Sequence, residues 1–120
     1  MNNRVMVLDD DEDILEIITY VLNEEGYEVL GRTSGDNVPE LIRNFNPGLI
    51  LMDVLLGDYN GIQICKSLKK EPSTKKFPII LISGTHNLSE NLYQEGAPDD
   101  FLAKPFDIPV LLEKVKRYLA

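Results

Sequence analysis

Three carboxylates, a hydroxyl and an ammonium each follow a short apolar run in this chain. Val5–Leu8 ends at Asp9 and Asp10, Leu49–Met52 at Asp53, Ile79–Ile82 at Ser83, and Phe101–Ala103 at Lys104. Brought into one cleft, the three acids repel one another, and one of them holds its proton more tightly unless charge offsets it. Lys104 offsets one charge, and a divalent cation would offset more. The donors are all oxygens, with no Cys or His for zinc, which favours Mg²⁺, with Mn²⁺ as a substitute. Ser83 and Lys104 are then left to hold an anion beside the metal. A phosphoryl group on Asp53 meets all of these demands, because a carboxylate can act as a nucleophile and form an aspartyl phosphate. Cation and lysine would neutralise the oxygens of the transferring group.

The elements that must position these residues alternate along the chain. The apolar runs read as strands, as does Tyr27–Leu30, which alternates in part and fits a sheet edge. Between them, Ile14, Ile17, Ile18, Val21 and Leu22 share one helical face, with acids in the first turn and Gly26 at the end. Val38, Leu41, Ile42 and Phe45 repeat the spacing until Asn46-Pro47-Gly48 breaks it. Ile62, Cys65 and Leu68 mark a third helix, Leu88 to Glu95 a short fourth, and Leu111 to Leu119 a fifth starting near Asp107. Strands apolar on both faces need helices on both faces. Right-handed crossovers then give a doubly wound α/β fold, whose function sits outside the carboxyl ends of the strands.

Composition narrows the class. With 120 residues, 43% apolar and 27% charged, the chain suits one globular domain, residues 1–120, with no output domain after it. A net charge of −8 argues against binding a nucleic-acid backbone. No apolar run reaches the ~18 residues of a membrane span, and no leader opens the chain. Cys65 has no partner for a disulfide, so a cytoplasmic location is expected.

Four segments in combination, V-L-D-D-D-E-D-I, L-I-L-M-D-V-L-L-G-D-Y-N-G, P-I-I-L-I-S-G and D-D-F-L-A-K-P-F, resemble the receiver (response regulator, CheY-like) domain of two-component signalling over nearly the whole chain. The resemblance implies a flavodoxin-like five-stranded parallel sheet of order 2-1-3-4-5 in an α/β/α sandwich with five helices. It implies that Asp53 is the phosphoacceptor and that Asp10 is a direct Mg²⁺ ligand, joined by Asp53 and the Leu55 carbonyl. Asp9 would act through water, Ser83 and Lys104 would bind phosphoryl oxygens, and Phe101 would be the switch aromatic. The Lys104-Pro105 bond is typically cis in such domains. A sensor histidine kinase or histidine phosphotransfer protein would be the donor. The output face would comprise the fourth helix, fifth strand and fifth helix, serving an unknown downstream partner in a monomer or a homodimer. Such a domain assists its own phosphorylation and hydrolysis but is not a conventional enzyme. The alternative is an interaction module that keeps the fold without the phosphoryl cycle. An aspartyl-nucleophile phosphotransferase would want a second acid two residues after Asp53, where Leu55 stands.

The chain departs from the family pattern in places. Gly57 occupies the usual proline position, which predicts a looser loop, and Gly84 replaces alanine. The segment from Ser83 to Gly96 reads about two residues short, and Gly96-Ala97-Pro98-Asp99-Asp100 carries one extra. Other residues have plain readings. Asp11, Glu12 and Asp13 form a solvated capping turn, Cys65 is a buried inert thiol, and His86 an exposed polar residue. Tyr59 and Tyr93 read as surface packing, and Lys69-Lys70 and Lys75-Lys76 as solvated charge.

Overall fold

In the computed structural model, which describes residues 2–84 and 96–119, the five apolar runs lie side by side in one sheet. The chain runs β1 (Arg4–Leu8), α1 (Glu12–Glu24), β2 (Glu28–Arg32), α2 (Val38–Phe45), β3 (Leu49–Asp53), β4 (Leu55–Leu56), β5 (Tyr59–Asn60), α3 (Gly61–Lys70), β6 (Ile79–Ser83), β7 (Asp100–Ala103) and α4 (Ile108–Leu119). The main sheet is parallel throughout, in the order β2-β1-β3-β6-β7. With the small β4–β5 hairpin set aside, this is the doubly wound 2-1-3-4-5 order. β2 lies at an edge, shifted a residue or two later than its apolar pattern predicts, because Arg4 to Leu8 pair with Glu28 to Arg32. Four helices fall among the described residues. The expected helix at 88–95 lies outside them, as do Thr85, His86 and Tyr93.

Strand alternation sorts the core into two faces. Val5, Val7, Leu49, Leu51, Ile80 and Ile82 meet Ile18, Leu22, Leu111 and Val115 of α1 and α4. Met6, Leu8, Ile50, Met52, Ile79 and Leu81 meet Val38, Ile42, Cys65 and Leu68 of α2 and α3. These strand residues are fully buried, each worth roughly 1.5–3 kcal/mol of transfer free energy. That two-sided burial is why the strands read as continuous apolar runs. Among the described residues, no helix is long and apolar enough to cross a membrane.

The ends of the elements follow local chemistry. Asp11 caps α1, its carboxylate accepting from the N–H groups of Asp13 and Ile14, as expected of a capping turn. Asn46 ends α2 in the left-handed region at φ 51°. Asn60 caps α3 by accepting from Ile62 and Gln63.

Two expectations are corrected. The loop after β3 is a hairpin, with Leu55 opposite Asn60 and Leu56 opposite Tyr59, so Gly57-Asp58 is a two-residue turn. Gly57 has φ +66° and Asp58 does not share the positive φ, which makes Gly57 the first central residue of a type II′ turn. Gly57 therefore builds an ordered turn that proline, locked near −65°, does not fit. Lys69, in turn, is not solvated charge. Its side chain is 14% exposed and pairs with Asp99 at 2.6 Å, because Asp99 is carried to the end of α3 by the start of β7.

Candidate functional site

The carboxyl ends of β1, β3, β6 and β7 emerge on one edge of the sheet. Asp9 follows β1, Asp53 closes β3, Ser83 closes β6 and Lys104 follows β7. Register brings them together, since Leu8 pairs with Met52, Asp53 with Ile82, and Ser83 with Ala103. Carboxylate oxygens of Asp9, Asp10 and Asp53 lie within 4.8 Å of one another. Lys104 donates to Asp53 Oδ2 and stands 3.1 Å from Asp9 Oδ2. Lys104 N also donates to the Ser83 carbonyl at 2.9 Å, tying the two strand ends together. The Lys104-Pro105 peptide is cis, as the resemblance implied.

Each acid sits in a different environment. Asp9 is fully buried, and its Oδ1 accepts from Asp11 N at 2.9 Å. Its Oδ2 has the ionic contact with Lys104 but no hydrogen bond of good geometry among the described residues. Burial pushes the Asp9 carboxyl above its ordinary range. The Asp53 charge adds to this, while the Asp11 N–H and Lys104 pull the other way. Asp53 is 4% exposed and its Oδ1 accepts from Leu55 N at 2.9 Å. Asp10 is exposed, and its Oδ2 accepts a long 3.4 Å bond from Gly57 N. Burial alone would lower the Lys104 value, but its bonds to Asp53 and Asp9 outweigh it and hold the ammonium charged.

Three carboxylates facing one ammonium leave a negative surplus in a largely buried cleft. An oxygen-only donor set with a buried Asp9 oxygen lacking a good donor fits a small hard cation of the Mg²⁺ type. Leu55 presents its side chain to solvent, 63% exposed, at the lip of this cleft. Ser83 is 3% exposed at the end of β6. Phe101 lies apart from the acids, half-buried on β7 against the cluster beneath α2 and α3.

Two contributors escape a reading by residue type. Gly57 reaches Asp10 through its main chain, and Tyr59 donates its hydroxyl to Asp36. A signal for the first was present, since Gly-Asp between two-residue pairs is a II′ hairpin pattern. The second joins residues 23 apart and has no local signature.

Comparison with known proteins agrees with this geometry. The sequence model for the response regulator receiver domain matches residues 5–116. The chain is 32% identical over 118 residues to the phosphate regulon transcriptional regulatory protein PhoB of Rhizobium meliloti, covering 97% of this chain and 52% of that protein. It thus spans about half the length of that relative. It is 28% identical over 120 residues to the polar-differentiation response regulator DivK of Brucella ovis, covering 99% of this chain and 98% of that one. The receiver domain of a Francisella response regulator superposes with a TM-score of 0.86 at 28% identity, covering 98% of this chain and 96% of that one. The chain belongs to the response regulator receiver domain family of two-component systems.

Proposed function

We propose that this receiver domain is a phosphorylation switch in which Asp53 accepts a phosphoryl group from a phosphohistidine. The observation that carries the reading is the cleft itself, where Asp53 pairs with Lys104 beside Asp9 and Asp10. In the transfer, the P–N bond of the donor breaks as a P–O bond to the Asp53 carboxylate forms, and the donor imidazole is released. Leu55 N–H holds one Asp53 oxygen, which orients the carboxylate for attack. Lys104 then exchanges a carboxylate partner for a phosphoryl oxygen, and the Ser83 hydroxyl, on the neighbouring strand end, binds another. Asp10, Asp53 and the Leu55 carbonyl would hold Mg²⁺ or Mn²⁺, with Asp9 acting through water; when bound, the cation offsets the charge gathered on these oxygens.

A protein donor is supported by the surface beside Lys104. Ile14, Ile17, Pro105, Phe106 and Ile108 line an open apolar groove of about 560 Å³ there. Ile17 is 52% exposed and extends the apolar lining of this groove. We assign the donor to a sensor histidine kinase or a histidine phosphotransfer protein acting in the cytoplasm. Withdrawal of Ser83 toward the phosphoryl group opens space that Phe101 can turn into. This reshapes the face that includes β7 and α4, through which a downstream partner or a second copy would bind. The domain does not turn over a separate substrate.

The test is incubation with acetyl phosphate and Mg²⁺ followed by intact-mass spectrometry. One added phosphate is expected on the wild type and none on Asp53→Asn. An unmodified wild type, or an equally modified variant, refutes the reading in favour of an interaction module without a phosphoryl cycle.

A further inference from the structure

The β4–β5 hairpin is fixed at three points besides its own pairing. Leu56 is fully buried in the core beneath α2 and α3, and Asn60 caps α3. Tyr59 lies across Gly35, so closely that a Cβ there would sit 2.8 Å from its Cβ and Cγ. Its hydroxyl donates to Asp36 in the loop before α2. The turn at the tip points its Gly57 N–H at Asp10, 47 residues away, at 3.4 Å. That is the one hydrogen bond the Asp10 carboxylate accepts among the described residues. Asp9 is held by burial, and Asp53 by Lys104 as well as by Leu55 N at the base of the hairpin, so Asp10 is the acid whose direction depends on the turn alone.

We propose that Gly57 and Tyr59 are positioning residues of the cation site: the Gly57 N–H selects the side-chain direction of Asp10, and the Tyr59–Asp36 latch keeps the turn within reach. The proposal rests on the reading of Asp10 as a cation ligand. An exposed aspartate otherwise divides its time among rotamers, and a donor on one oxygen leaves the other pre-aimed. The II′ turn suits this task because glycine at its first position supplies both the positive φ and a free N–H. Proline at 57 would supply neither. Alanine at 57 keeps the N–H, and its Cβ would meet open space, although it strains the φ. The bond to Asp36 also pushes the Tyr59 hydroxyl above its ordinary proton affinity, so the hydroxyl keeps its proton as the donor of the latch.

The experiment measures Mg²⁺ alone binding to the unphosphorylated full chain by isothermal titration, with a thermal melt as the folding control and amide hydrogen exchange at residue 57. Outer-shell partners of a metal ligand are worth about 10-fold or more in affinity, and a long bond belongs at the low end, so Gly57→Pro is expected to weaken Mg²⁺ about 10-fold. Gly57→Ala should weaken it less, because its N–H survives. Tyr59→Phe keeps the ring on Gly35 and loses only the latch; about threefold weaker binding and faster exchange at Gly57 are expected. Asp36→Ala should match it, and the double variant should be no weaker than either single one. A folded Gly57→Pro and a folded Tyr59→Phe that both bind Mg²⁺ as tightly as the wild type overturn the proposal while leaving the cation reading intact. A wild type that binds no Mg²⁺ overturns both.

Discussion

At the carboxyl ends of the strands, Asp9, Asp10 and Asp53 face Lys104 alone among the described residues. At the amino end of β7, two acids are matched by two lysines. Asp99 Oδ2 accepts from Lys69 at 2.6 Å and from Ile79 N at 2.8 Å. Asp100 takes Lys114 at 3.0 Å and Phe101 N at 2.8 Å, and the Asp99 carbonyl accepts from Tyr118 at 3.2 Å. Lys69 spends a further donor on the Phe77 carbonyl at 2.9 Å. The balanced end closes on itself, stapling α3, β6, β7 and α4, and has no use for a ligand. The unbalanced end is incomplete without one. A carboxylate cluster is therefore read by its surplus, not by its count.

The sharpest way to break this contrast is to delete an acid from each end. Asp99→Ala strips a partner from Lys69 and leaves the N–H of fully buried Ile79 unpaired. That should cost about 2 kcal/mol, tempered because Asp99 is 37% exposed, and chemical denaturation will show it. Asp10→Asn should do the opposite in EDTA. It removes one of three repelling charges for a gain of about 0.5 kcal/mol, since Asp10 is exposed and water screens it. A loss of stability in metal-free Asp10→Asn would mean that the acids at the carboxyl ends form a staple like the pair at the start of β7.

The acid–lysine pairs at the start of β7 also mark where sequence reading stops. The strands and their terminal residues are legible because two-sided burial demands unbroken apolar runs, and the chemistry stands where each run ends. Asp53 and Lys104 could be placed together from topology alone. Lys69 and Asp99 are 30 residues apart and lie off the strands' carboxyl ends, so only the path of β7 past α3 joins them. Tyr59 and Asp36 meet for a comparable reason, through a hairpin too short to show alternation. Cys65 is the converse case. Its helical face predicts burial, and it is 1% exposed with its proton affinity pushed up to about 11 by desolvation.

Cation addition sharpens the contrast further. A ligand held only by the folded state at ten times its dissociation constant stabilises by about 1.4 kcal/mol. Mg²⁺ should therefore raise the melting temperature of the wild type and of Asp99→Ala by similar increments, since Lys69 and Lys114 already balance the acids at the start of β7. The same Mg²⁺ should leave Asp10→Asn nearly unmoved. Equal increments in all three proteins would place the cation elsewhere.

The finest distinction is in pH dependence without metal. Burial raises the folded Asp9 carboxyl above its ordinary 3.8, so between 3.8 and its folded value the folded protein binds more protons than the unfolded chain. Stability attributable to Asp9 is then lost as pH rises through that window, the reverse of the usual paired carboxylate. Asp9→Asn stands in for the protonated form and does not titrate. Denaturation curves of wild type and Asp9→Asn in EDTA should therefore converge at the acid end. The wild type should fall progressively below the variant as pH climbs above 3.8. Saturating Mg²⁺ should reverse the divergence, because a cation beside the acids favours the ionised carboxylate that burial alone opposes. A metal-free wild type that gains on Asp9→Asn with rising pH would mean that Lys104 already balances the cleft, and the surplus that separates the two ends of the sheet would vanish.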